Sequence, residues 1–100
     1  MESMTYTHED TLLVVDGTAI EVFRRLVERS QRTPLAWAGA TLKPKKDQIQ
    51  VQVGTSSNPG DPFYNDSVVG SAVFMFSIPQ SEEPALRSFL DEAARRGQRA

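Results

Sequence analysis

Apolar and polar residues alternate most strictly over 48–53, where Ile49, Val51 and Val53 fall on one face and Gln48, Gln50 and Gln52 on the other. That is the period-2 signature of a half-buried strand. An apolar run over 35–42 precedes it across Lys43-Pro44-Lys45-Lys46-Asp47, a polar stretch of hairpin length, so 35–53 predicts a β-hairpin with a lysine-bearing tip. A further strand is predicted near 71–78, with Phe74, Phe76 and Ile78 on one side and Pro79 as its stop. Between them lies 54–66, a long segment dense in Gly, Pro, Asn, Asp and Ser, which reads as loop. The period then changes. Leu86, Phe89, Leu90 and Ala93 recur at i, i+3, i+4 and i+7, one face of an amphipathic helix. Ser81 is its expected N-cap and Gly97 its expected left-handed stop. Glu83–Arg87, Asp91–Arg95 and Glu92–Arg96 are spaced as i,i+4 ion pairs.

Residues 11–31 carry two patterns at once. Thr11-Leu-Leu-Val-Val15 is strand-like, and Asp16-Gly17 between apolar flanks signals a type I′ hairpin turn. Thr18-Ala-Ile-Glu21 also fits a capping box. At 100° per residue, Ala19, Ile20, Val22, Phe23, Leu26 and Val27 fall on one arc, while Glu21, Arg24, Arg25, Glu28, Arg29 and Arg32 fall on the other. The favoured reading is a hairpin to about Phe23 followed by a short helical turn over 24–30; a helix over 19–31 is the alternative. The expected fold class is therefore α+β, an antiparallel β-sandwich or open barrel capped by a C-terminal amphipathic helix. The alternative is a β-α-β-β-β-α two-layer sandwich.

At 100 residues the chain has the length of one domain, expected over 11–97 between an acidic, frayed lead-in (1–10) and a short tail (98–100). No apolar run reaches the ~20 residues a membrane span needs. Cysteine is absent, which removes disulfides, thiolate metal sites and cysteine nucleophiles, and favours a cytoplasmic home. Net charge is −2, so no nucleic-acid partner is expected. The layout is uneven. Residues 22–46 hold seven bases against Glu28 alone, and the stretches on either side, 1–21 and 47–83, hold acids without a base.

A run of antiparallel strands closed by one amphipathic helix resembles the pleckstrin-homology-like superfold, a bent sandwich plugged at one end by its last helix. The likeness spans roughly 11–97 and rests on element order. The tryptophan usual in that family's last helix is replaced here by Phe89 and Leu90, and Trp37 falls on a predicted strand. Lysines in an early hairpin loop of that family meet lipid headgroup phosphates, so the resemblance implies an anionic-lipid contact at Lys43, Lys45 and Lys46. The family's following basic-x-Arg step is missing, since the next strand opens Asp47-Gln-Ile-Gln50.

Catalysis finds little to work with. The single histidine, His8, sits in the lead-in, and the serines at 56, 57, 67 and 71 have no histidine near them in sequence. Asp61 and Asp66 offer a carboxylate pair, with Asn58 and Asn65 beside them, but Asx residues next to Gly and Pro form turns for their own reasons. The reading is accordingly not an enzyme, with no cofactor and no metal; a carboxylate enzyme ranks last. Phe23, Trp37, Phe74, Phe76 and Phe89 are expected in the core. Phe63 and Tyr64 stand apart in the turn-rich loop, where one ring is expected to plug the sandwich and the other to face solvent. That makes Asp61, Phe63, Tyr64 and Asn65 a candidate contact loop for a protein partner or for self-association.

Overall fold

A computed structural model, describing residues 3–58, 60–69 and 75–97, resolves the double pattern at 11–31 in favour of strands. Met4–His8 (β1), Thr11–Asp16 (β2), Ala19–Arg24 (β3) and Arg29–Pro34 (β4) form an antiparallel meander in chain order. The helix over 19–31 fails because Ile20 pairs with Val15 and Val22 with Leu13, all four wholly buried on the inner face. Period 2 thus places the residues that a helical arc would also have buried. Past Arg24 the chain makes a single 3-10 turn, Arg25–Val27, and returns as β4 through Glu28 at φ 51°. Leu26, assigned to the apolar arc by the helical pattern, is 82% exposed. The hairpin turn falls one residue later than Asp16-Gly17. Asp16 pairs with Ala19, and Gly17 takes φ 63° as the first central residue while Thr18 does not, the sign pattern of II′ and not of I′.

The lead-in is also ordered into the sheet over Met4–His8, where the expectation of a frayed segment fails. Tyr6 is buried there, and its hydroxyl donates to Glu82 Oε1 at 3.1 Å, tying the first strand to the entrance of the helix.

The second sheet consists of Ala38–Lys45 (β5), Gln48–Ser56 (β6), Val68–Val69 (β7) and Met75–Pro79 (β8). The centre is β6, with β5 on one side and both β7 and β8 on the other, at Thr55–Ser56 and Gln48–Gln52 respectively. The expected strand at 35–42 is displaced to 38–45, so Lys43 and Lys45 are strand residues and the hairpin tip is only Lys46-Asp47. Pro44 is tolerated because β5 is an edge strand. The Ala40 N–H points outward to Phe63 O at 2.8 Å, and two-residue alternation aims the missing Pro44 donor the same way. Of the strand expected at 71–78, Phe76 and Ile78 face inward, whereas Ser71 and Phe74 lie outside the described residues. The tail at 98–100 does too.

Glu83–Gly97 (α1) lies against β1 and β5 and buries Leu86, Phe89, Leu90 and Ala93, the predicted face. The inner faces of both sheets meet this stripe in one core, where Val51, Ile78, Leu86 and Leu90 are wholly enclosed. Ser81 is not its cap, since it sits inside a 3-10 turn, Gln80–Glu82. Nor does Gly97 take a left-handed stop. It is helical, and a Cβ there would stand 2.6 Å from Leu35 O, so glycine is needed for close approach. Among the described residues, no helix is long and apolar enough to cross a membrane.

Candidate functional site

Proline ends β4, and the chain crosses to the second sheet through Leu35, Ala36 and Trp37. This crossing is held tightly by its backbone. Leu35 N–H donates to Thr18 O at 2.7 Å, Trp37 N–H to Pro34 O at 2.9 Å, and Trp37 O accepts from Ser56 N–H at 2.8 Å. Leu35 turns into the core while Trp37 projects outward, 62% exposed. The assignment of Trp37 to the core therefore fails, and so does its placement on a strand. Its parity carries the reason: had β5 begun earlier, Trp37 would share the outer face with Lys43 and Lys45, opposite Ala38, Ala40 and Leu42. An apolar run without alternation hid this in the sequence.

The indole stands between two grooves. One, of about 420 Å³, runs past Thr55, Ser56, Ser57 and Gly60 to Asp61. The other is bounded by Thr18, Leu35, Arg96 and Gly97. Asp61 N–H donates to Asn58 O at 3.3 Å, closing a turn, yet its carboxylate Oδ2 is buried and takes no hydrogen bond from the described residues.

The remaining members of the expected contact loop are spent inside the fold. Asn65 Nδ2 donates to Pro62 O at 2.8 Å and Ser56 Oγ at 3.1 Å, and Asn65 Oδ1 accepts from Ser67 N–H at 2.8 Å. Asn65 N–H reaches Ala40 O at 3.1 Å, which folds the loop back along the free edge of β5. Tyr64 donates its hydroxyl to Asp91 Oδ1 at 2.5 Å, and the Arg87 guanidinium lies 5.1 Å from its ring centroid. Phe63 meets Tyr64 edge-on at 5.2 Å, and both rings are half-buried against the core. Neither ring stands out in solvent, as one was expected to. Burial, then the bond to Asp91, raises the Tyr64 phenol above its usual value. Because Asp91 serves Tyr64, the expected Asp91–Arg95 pair does not form, and Arg95 and Arg96 both go to Glu92. Those two hydrogen bonds, Arg95 first, pull the Glu92 carboxyl down to about 2.

Lys43, Lys45 and Lys46 are exposed and make no ion pair with a described residue. Lys43 and Lys45 stand opposite Gln50 and Gln48 on the outer face of the second sheet, at the far end of β5 from Trp37. Gln80 holds the tip by donating to Lys46 O at 3.0 Å and Asp47 O at 3.2 Å. A third surface lies outside the first sheet, where Leu12 faces Phe23 across β2 and β3 beside Arg25, Glu28 and Arg29. Of the basic set read as one solvated helical face, Arg24 bonds Asp10 and Met75 O, and Arg32 reaches Glu21 Oε1 across β3 and β4 at 3.3 Å. His8 comes within 4.0 Å of Glu9 Oε1. No group of three or more His, Asp or Glu suited to a metal occurs among the described residues. No family model, curated protein or solved structure matches the chain.

Proposed function

We propose that the chain is a non-catalytic protein-interaction module on a pleckstrin-homology-like scaffold, working in the cytoplasm and meeting its partner at Trp37. Two antiparallel sheets facing one core, with a C-terminal helix against it, support the scaffold half of this reading. The observation that carries the contact half is the 62% exposure of the only tryptophan, on a backbone pinned at both ends and between two grooves. Tryptophan is the residue type most enriched at energetic hot spots, and a fixed turn costs little ordering on binding. Selecting random peptides on the folded chain tests it. Binders should lose about ten-fold or more in affinity against Trp37→Ala, a hot-spot loss, and little against Phe23→Ala on the opposite sheet. Binders indifferent to Trp37→Ala would overturn the reading.

A second reading, contact with an anionic membrane surface, is favoured by Lys43 and Lys45 at one end of the glutamine face with Lys46 at the adjoining tip, none of which forms an ion pair with a described residue. Each basic residue near such a surface contributes about 1 kcal/mol, so binding would be low-affinity and salt-sensitive. Flotation with phosphatidylserine vesicles should fall with salt and vanish in a Lys43→Glu, Lys45→Glu, Lys46→Glu variant. Flotation unchanged by that variant would remove the idea.

A further inference from the structure

The groove beside Trp37 has an unbalanced electrostatic feature. A carboxylate oxygen shielded from water and lacking a donor is unfavourable unless something supplies one, and the described residues supply none to Asp61 Oδ2. The neighbouring serine hydroxyls do not reach it. Ser57 Oγ donates to Ser67 O, and Ser56 Oγ accepts from Asn65. The aromatic wall of the same groove is an exposed indole, whose face attracts cations more strongly than the ring of Tyr or Phe. A planar guanidinium suits both walls at once, stacking on the ring and sending paired N–H donors to the carboxylate.

Among the described residues, no lysine or arginine lines this groove. Arg96, on the other flank of Trp37, is held by Glu92 at 3.0 Å, and the lysines stand at the opposite end of β5. We infer that this groove receives an arginine side chain from an exposed segment of a partner protein, stacked on Trp37 and hydrogen-bonded to Asp61. The inference rests on Trp37 being the contact surface and adds the chemistry of what meets it. Because Asp61 Oδ2 is enclosed in the unliganded chain, binding requires the Asp61 side chain to rotate toward the groove, so Asp61 responds together with the indole.

The test uses the whole chain and two blocked peptides, acetyl-Gly-Arg-Gly-amide and its neutral counterpart with citrulline in place of arginine. The readouts are the fluorescence of the single tryptophan and the amide shifts of Ser57, Asp61 and the Trp37 indole N–H. The arginine peptide should saturate these signals in the millimolar range, with citrulline about ten-fold weaker. Added salt should narrow that ratio, and Asp61→Asn should bring it to about one with the remaining amide spectrum unchanged. Equal binding of the two peptides to the wild-type chain would overturn the inference while leaving Trp37 as a contact. No movement of either signal with the arginine peptide would overturn it as well, whatever the peptide selection gives. The wild-type comparison needs no variant, so it remains decisive if Asp61→Asn does not fold.

Discussion

Tyr64 spends its hydroxyl on Asp91 and its ring on Phe63 and Arg87, so its removal can be graded. Tyr64→Phe should cost about 1 kcal/mol in urea unfolding, the net worth of one hydrogen bond. Tyr64→Ala should cost clearly more, because the half-buried ring goes too. Tyr6 gives a pH signature. Burial, then the hydrogen bond and charge of Glu82, push its phenol up to about 12 from the usual 10. The folded state thus holds this proton more tightly than the unfolded one. Its contribution is present below the unfolded value and is lost as pH rises from 10 towards 12. The urea midpoint should fall over that alkaline range, and less steeply in Tyr6→Phe; equal slopes would show that the phenol is not involved. At this scale the sequence spoke unevenly. It marked Phe63 and Tyr64 as unusual for their loop, but composition cannot say whether an aromatic in a loop faces solvent or folds back. That depended on Asp91, 27 residues further along the chain.

The helix shows how an element's ends depend on its neighbours. Its buried stripe was legible because period 3.6 is written within one segment. Its C-terminal glycine was misread because the reason for it, Leu35 O, lies in another part of the chain. Propensity alone would make Gly97→Ala stabilising by about 1 kcal/mol. A Cβ at 2.6 Å from a backbone oxygen reverses the sign, and a loss of about 1–2 kcal/mol is expected, typical of overpacking. An increase in melting temperature would contradict the close approach. Strand β4 was missed for a related cause. Arg29–Pro34 has one buried residue, Thr33, so no alternation announces it, and pairing with β3 alone makes it a strand. The lysine tip was overestimated in length because Pro44 suggested a loop, whereas an edge strand can absorb it.

Across the whole molecule, Arg24 is a polar link between the two sheets. It leaves the end of β3, pairs with Asp10 at 3.3 Å, and donates to Met75 O at the start of β8. Arg24→Ala should therefore lower the urea midpoint, since its charged hydrogen bonds are lost and Asp10 keeps its bond from Thr11 but loses its counter-charge. Against the upward push of burial, Arg24 holds the Asp10 carboxyl below its usual value, so in Arg24→Ala the Asp10 titration should move up. The exposure of Trp37 has a direct optical check. Its emission should be quenched by iodide in the folded chain nearly as well as after unfolding, and strong protection would refute the outward indole. The strictly sequential order of the first sheet also bears on the birth of the chain. By Pro34 all four of its strands have been made, yet the rest of the core around Leu13, Val15, Ile20 and Val22 comes from residues after Pro34, including a helix beginning at Glu83. On the ribosome, where domains form from the N-terminal side, a nearly complete sheet would wait with its oily face bare. Stalled or truncated translation products ending between the sheets should consequently be captured by chaperones far more than the finished chain.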